Sequence, residues 1–262
     1  MKYSSEFFNE TFPHLLLISF FYSFGVQVYR KNYAATISPR SSHIELASKI
    51  WNFTMCVFSI CGTIATWPII LQLVNGDTIQ LDKTWFLLYV FSKPLELIDT
   101  MFLILKHKPI STLHWTHHLI TMLYTWYATQ FDPTFFLLFC FLNYVVHSVM
   151  YGYYFIQSKN RYFSQCVTIL QMIQFVLGLI WVFVCHAKVE SKIWFITLFM
   201  YSYYLVMFGL FFYQKYIHKP LMCCMCHKFL AITKCHRCQN KCCHLCLSET
   251  GCTLCTKMQK LS

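Results

Sequence analysis

Long apolar runs separated by short polar connections organise this chain almost from end to end. Seven runs reach or approach the roughly 20 residues that a helix needs to cross a bilayer. They span residues 13–29, 50–74, 85–105, 113–127, 134–154, 167–186 and 194–213, the fourth being the shortest. The pattern predicts an all-α polytopic membrane protein with seven transmembrane helices over residues 1–219. A cysteine-rich tail of different character follows at 220–262.

Composition agrees: 57% of the 262 residues are hydrophobic and 12% charged, which excludes an ordinary soluble domain. The charges in the connections then predict orientation. Arg30, Lys31, Arg40 and Lys49 follow the first run, and Lys106 and Lys108 the third. Lys159 and Arg161 follow the fifth, and eight basic residues the seventh. The connections between hold Asp77, Asp82 and Lys83, then Asp132, then Lys188 and Lys192 around Glu190; the N-terminal segment sets Lys2 against Glu6 and Glu10. Basic connections alternating with acidic or mixed ones put the N-terminus outside and the C-terminus in the cytosol. The first run lacks a basic leader and a small-residue cleavage site, so it is expected to be a span rather than a signal peptide. Asn9-Glu10-Thr11 would be a glycosylation acceptor on the outer side, whereas Asn52-Phe53-Thr54 falls at a cytosolic end. A net charge of +11 spread over short loops does not fit nucleic acid. Anionic headgroups or an anionic substrate fit it, and so does topology alone for any single lysine.

Polar residues interrupt the runs in four places. Lys93, Glu96 and Thr100 recur at helical spacing in the third, with Asp99 beside them. His114, His117 and His118 open the fourth as an HxxHH box, on one helical face by the i, i+3, i+4 rule. Asn143, His147 and Tyr151 follow at i+4 steps in the fifth, where Asn143 could orient the imidazole and Tyr151 extend the network. Gln171 and Gln174 lie one turn apart in the sixth. Ionisable groups in a span face the bundle interior. Lys93 and Glu96 could be a structural pair or act directly, and the glutamines could simply join helices. Together the clusters predict a polar cavity within the bundle.

Three chemistries remain open on the residues alone. A di-iron lipid oxidase would need several histidine boxes, and only His147 joins this one. Acid–base and covalent catalysis by imidazole needs two or three histidines. A non-catalytic binding protein or transporter would use the same clusters to line a ligand path.

Lys93-x-x-Glu96-x-x-Asp99-Thr100, the box His114-Trp115-Thr116-His117-His118, Asn143-x-x-x-His147-x-x-Met150-Tyr151 and Thr168-x-x-Gln171-x-x-Gln174-Phe175 resemble, in order, the four signatures of the ELO family of very-long-chain fatty acid elongases. The box with Leu123-Tyr124-Thr125-Trp126-Tyr127 is most similar to the animal subgroup acting on saturated and monounsaturated chains. The resemblance implies a 3-oxoacyl-CoA synthase of the endoplasmic reticulum that condenses long-chain acyl-CoA with malonyl-CoA. It also implies six spans in a barrel around an acyl tunnel, with the seventh packed outside. By that resemblance His117 would carry the acyl group, His147 assist malonyl activation, His114 and His118 tune the nucleophile, and Asn143 hold His147. Lys93, Glu96, Asp99, Tyr151, Gln171 and Gln174 would shape the substrate site, with Lys106, Lys108, Lys159 and Arg161 at the CoA entrance. No catalytic cofactor is implied. The other enzymes of the elongation cycle and a second copy of the chain are the partners it admits.

The resemblance does not account for the tail. Cys223/Cys226, Cys235/Cys238, Cys243/Cys246 and Cys252/Cys255 form four consecutive CxxC pairs. Such pairs can close two four-thiolate zinc sites in a reducing compartment; cysteines just after a span are also palmitoylation candidates. The last residues keep Lys260 without the usual partner of a dilysine retrieval signal.

Overall fold

Every apolar run folds as helix. In chain order these are α1 (Lys2–Asn32), α2 (Ser42–Asn75), α3 (Lys83–Leu95), α4 (Leu97–Leu105), α5 (Thr112–Ala128), α6 (Pro133–Ile156), α7 (Arg161–Val184) and α8 (Ser191–Phe212). The computed structural model describes residues 2–33, 41–76, 83–131, 133–217 and the short strands β1 (Thr233–Lys234), β2 (Lys241–Cys242), β3 (Leu247–Ser248) and β4 (Gly251–Cys252). Arg40, Asp77, Asp82 and Asp132 lie outside the described residues. So do Cys223, Cys226, Cys235, Cys238, Cys243, Cys246, Cys255 and Lys260, and Cys252 is described in its backbone alone.

Five helical stretches are long and apolar enough to cross a membrane: Glu6–Asn32, Ser42–Asn75, Pro133–Ile156, Arg161–Val184 and Ser191–Ile217. The other two predicted spans are shorter as helices, and the third breaks between α3 and α4. Pro94 has no N–H to give the preceding turn and its ring crowds the carbonyl of Val90, so the helix turns at Glu96 and restarts at Leu97. The fourth is the 17-residue α5. α1 starts eleven residues before its predicted span, carries Pro13 inside it, and includes Asn9 in helix rather than in a tail.

The chain divides into two compact units, residues 1–209 and 210–262. In the first, α2 lies along α6, α6 against α7 and α1 against α5, while α3 packs on α5, α6 and α2. Two glycines permit close approaches. A Cβ on Gly62 of α2 would stand 2.5–2.6 Å from ring carbons of Tyr144 on α6, and one on Gly178 of α7 would strike the ring of Tyr201 on α8. Tyr144 is pinned there, donating to the Trp85 carbonyl at 2.9 Å and meeting Phe58 and Trp85 edge-on. Outward faces of α1, α2, α7 and α8 carry exposed Phe20, Phe24, Ile64, Ile180 and Phe199. Such apolar exteriors suit a hydrocarbon surround.

In the second unit the helix widens into a π turn at Tyr213–Ile217, with Lys215 Nζ over the Phe211 and Tyr216 rings at 5.1 and 4.9 Å. β1 pairs antiparallel with β2 and β3 with β4, with Leu247 opposite Cys252.

Candidate active site

Local rules place the histidine box. Ser111 caps α5 and accepts the His114 backbone N–H at 3.1 Å, so the helix begins just ahead of the box. The turn before it closes through His107, whose φ of 47° is left-handed, with Lys108 N–H on the Leu103 carbonyl at 2.9 Å. Tyr29 and Arg30 at the end of α1 reach this connection, on the Lys108 carbonyl and Thr112 Oγ1, each at 3.0 Å.

The break at Glu96 brings four helices together. Lys93 Nζ donates to Glu96 Oε1 at 2.7 Å and to Asn143 Oδ1 at 2.8 Å, and stands 4.4 Å from the Tyr89 ring centre. Both Lys93 and Glu96 are 2% exposed, so neither charge is solvated and each requires the other. Asn143 Nδ2 lies 3.2 Å from His147 Nε2, while His147 Nδ1 faces Glu96 Oε1 at 3.5 Å. His118 Nδ1 approaches the second oxygen of Glu96 at 3.8 Å. Glu96 thus sits between the box on α5 and His147 on α6.

Asp99 anchors a second knot. Trp51 of α2 donates to Oδ1 and Tyr151 of α6 to Oδ2, both at 2.7 Å. Thr100 beside it meets Tyr22 of α1 at 2.8 Å and His114 Nε2 at 3.0 Å. The His114 and His118 rings are 4.5 Å apart. His117 turns toward α8: its ring meets Tyr204 edge-on at 4.8 Å and Phe208 at 6.0 Å, and its buried Nδ1 has no hydrogen-bond partner.

A cavity of about 800 Å³ opens beside these knots. Asp99, His114 and His118 belong to its lining, as do Glu45, Lys106, Lys108 and Lys159. The α4–α5 and α6–α7 connections, far apart in sequence, therefore supply ammonium groups to one space. Lys106 also donates to Ser48 of α2.

The structure thus gathers most residues singled out by sequence and rearranges several. Tyr151 extends the Asp99 knot rather than hydrogen-bonding His147, whose ring it meets at 5.5 Å between centres. Gln171 reaches Met150 Sδ at 3.5 Å, joining α7 to α6; Gln174 is buried on α7; Arg161 opens α7 and is not among the cavity's lining residues. Trp51, Tyr22, Tyr89, Tyr204 and Phe208 complete the site and were not legible, since an aromatic residue in a 19% aromatic chain carries no local signal. Among the described residues no group of three or more His, Cys, Asp or Glu could hold a metal ion.

No solved structure matches this chain. Among curated proteins it is similar to long chain fatty acid elongase 1 of Caenorhabditis elegans, 31% identical with 81% of each chain covered. Very long chain fatty acid elongase 6 of Gallus gallus is also 31% identical, over 65% of this chain and 73% of its own. Fatty acid elongase 3 of Trypanosoma brucei brucei is 30% identical, over 67% of this chain and 75% of its own. The family model described as ELO, the GNS1/SUR4 family, matches residues 7–221, and this chain belongs to that family.

Proposed function

We propose that the role of this multi-pass membrane protein in fatty acid elongation is that of the condensing enzyme, joining long-chain acyl-CoA to malonyl-CoA to give 3-oxoacyl-CoA, CO2 and CoA. One observation carries the reading. The histidine box and the Asn143–His147 pair meet across Glu96, beside a cavity that also has three lysines in its lining. Lysines in a cavity lining suit the phosphates of CoA. Buried imidazoles suit acyl transfer.

In the first half-reaction an imidazole nitrogen of His117 attacks the thioester carbon. The C–S bond breaks, and the imidazole proton leaves with the CoA thiolate as free CoA. In the second, malonyl-CoA loses CO2 and the released electron pair forms the new C–C bond. The acyl–imidazole bond breaks and His117 regains a proton from the medium. Nδ1 lacks a hydrogen-bond partner in both His117 and His118, and the aromatic wall of Tyr204 and Phe208 against His117 favours that residue as nucleophile. His114, tied to Thr100, and His118, facing Glu96, hold the box in place.

The wider reading has α1, α2, the α3–α4 pair, α5, α6, α7 and α8 as seven spans. Six form a barrel around an acyl tunnel in the endoplasmic reticulum membrane, with the N-terminus luminal. Residues 1–219 form the membrane domain, and 220–262 a cytosolic tail whose eight paired cysteines close two structural zinc sites. Other enzymes of the cycle, and a second copy of the chain, are its protein partners.

The test is intact-mass and peptide mass spectrometry of purified protein incubated with long-chain acyl-CoA alone. An acyl mass on His117, absent in His117→Ala and discharged as 3-oxoacyl-CoA when malonyl-CoA is added, is the expected result. Product without an adduct would discard the covalent route. Neither adduct nor product across a range of chain lengths would overturn the assignment.

A further inference from the structure

Lys93 makes two buried hydrogen bonds, yet it lines neither the cavity nor the histidine box. Its ammonium is only a donor, so the Asn143 atom 2.8 Å away must be the carbonyl oxygen. That fixes the amide: its NH2 is the end facing His147 Nε2 at 3.2 Å. An NH2 group only donates, so Nε2 must accept and carries no proton. The ring proton then sits on Nδ1, which faces the Glu96 carboxylate at 3.5 Å. Lys93 holds the same Glu96 oxygen at 2.7 Å. Both sides of the imidazole are thus set from one ammonium, by two routes that agree.

We infer that Lys93 is a positioning residue that sets the tautomer of His147: through Asn143 and Glu96 it keeps the proton on Nδ1 and leaves Nε2 as the ring's proton-accepting nitrogen. The carboxylate across Nδ1 also stabilises the imidazolium formed when Nε2 takes a proton. The consequence for turnover rests on the condensing role proposed for His147; the tautomer itself does not. It also sets Lys93 apart from substrate phosphate, because Glu96 and Asn143 hold two of its three donors and it is 2% exposed.

Asn143→Asp is the discriminating variant. It keeps size and the Lys93 contact but can only accept, so a hydrogen bond to His147 now requires a proton on Nε2. The experiment is 15N NMR of histidine-labelled full-length protein in detergent micelles, with the His147 signals among the 12 histidines identified by their loss in His147→Gln. Turnover and the His117 acyl adduct are measured in parallel. Expected are an unprotonated Nε2 in the parent and a protonated Nε2 in Asn143→Asp. Turnover should fall by roughly 10–100-fold, as for other residues that orient a reacting group at one remove, while the adduct on His117 still forms. Lys93→Met should give a mixture of His147 tautomers. A parent His147 protonated at Nε2, or an Asn143→Asp enzyme with parental turnover, would overturn the inference. Persistence of the His117 adduct shows that the variant folds. Absence of the adduct in the parent too would count against the proposed function and leave the NMR result standing.

Discussion

Gly62→Ala should destabilise the bundle through a single contact. The new Cβ would lie 2.5–2.6 Å from three carbons of the Tyr144 ring, against about 3.5–4.0 Å for an ordinary carbon contact. The ring must retreat by about 1 Å, and little lets it. Its hydroxyl is tied to the Trp85 carbonyl at 2.9 Å, and Phe58, Trp85 and Tyr89 surround it with centres 5.6, 6.1 and 5.9 Å away. Overpacking of this kind costs about 1–3 kcal/mol, and the better helix propensity of alanine returns up to about 1 kcal/mol. About 2 kcal/mol, the middle of that range, less up to about 1 kcal/mol leaves a net loss of about 1–2 kcal/mol, a drop in Tm of about 2–8 °C. Tyr144 lies between Asn143 and His147, so a shifted ring also moves the site, and turnover should fall with Tm. Tryptophan fluorescence during heating in detergent at a fixed scan rate reads the first effect, and product formation the second. Gly209→Ala, with nothing within 4 Å of its Cβ, is the control. In Gly62→Ala/Tyr144→Leu the smaller side chain clears the clash, so the double variant should lose less than the sum of the single losses. An unchanged Tm in Gly62→Ala, or strict additivity in the pair, would refute the contact.

Three other outcomes are expected. Lys108→Ala and Lys159→Ala should each raise KM for acyl-CoA several-fold with kcat nearly unchanged, an effect that shrinks as salt is added; salt-independent loss of kcat alone would remove these lysines from substrate binding. Asp99→Leu should cost about 1–3 kcal/mol, because it leaves the Trp51 N–H and the Tyr151 hydroxyl without their acceptor; thermal unfolding equal to the parent would show that the knot carries no stability. If the tail closes two zinc sites, elemental analysis of purified protein should find two zinc ions per chain, released by a chelator without loss of turnover; zinc-free protein with free thiols would remove the sites.

Helices and the residues gathered at the candidate site were legible because each depends on local pattern. Bilayer-length apolar runs left little alternative to helix, and intramembrane ionisable residues marked Lys93, Glu96, Asp99, the box and His147. Pro94 was visible too, but not its effect, since a proline can bend a helix or break it according to what receives the freed backbone. Here the break sets Glu96 between His118 and His147, a position that no spacing rule supplies. Three-dimensional pairing decided the rest. Tyr151 stands one turn beyond His147, and sequence offers it the imidazole as its partner; the structure gives it Asp99 from another helix, where a carboxylate is the stronger acceptor.

The same logic separates the two lysine groups, both of which the resemblance sets at the substrate site, while the residues alone leave Lys93 open as a structural partner of Glu96. An ammonium buried with a carboxylate at 2.7 Å and an amide oxygen at 2.8 Å has exchanged its hydration for fixed protein partners, and recruiting it to a phosphate would strand Glu96. Lys108 and Lys159 line a cavity and are no part of that buried pair, so a phosphate bound there leaves Glu96 its partner. On the proposed reading, charge in the cavity lining serves capture of CoA, and charge at the centre serves the geometry of His147. Reversing the sign of each separates them. Lys159→Glu should weaken acyl-CoA binding while leaving the chain folded. Lys93→Glu sets two carboxylates together in the bundle interior and should abolish the folded protein; monodisperse, thermally stable Lys93→Glu would refute the division.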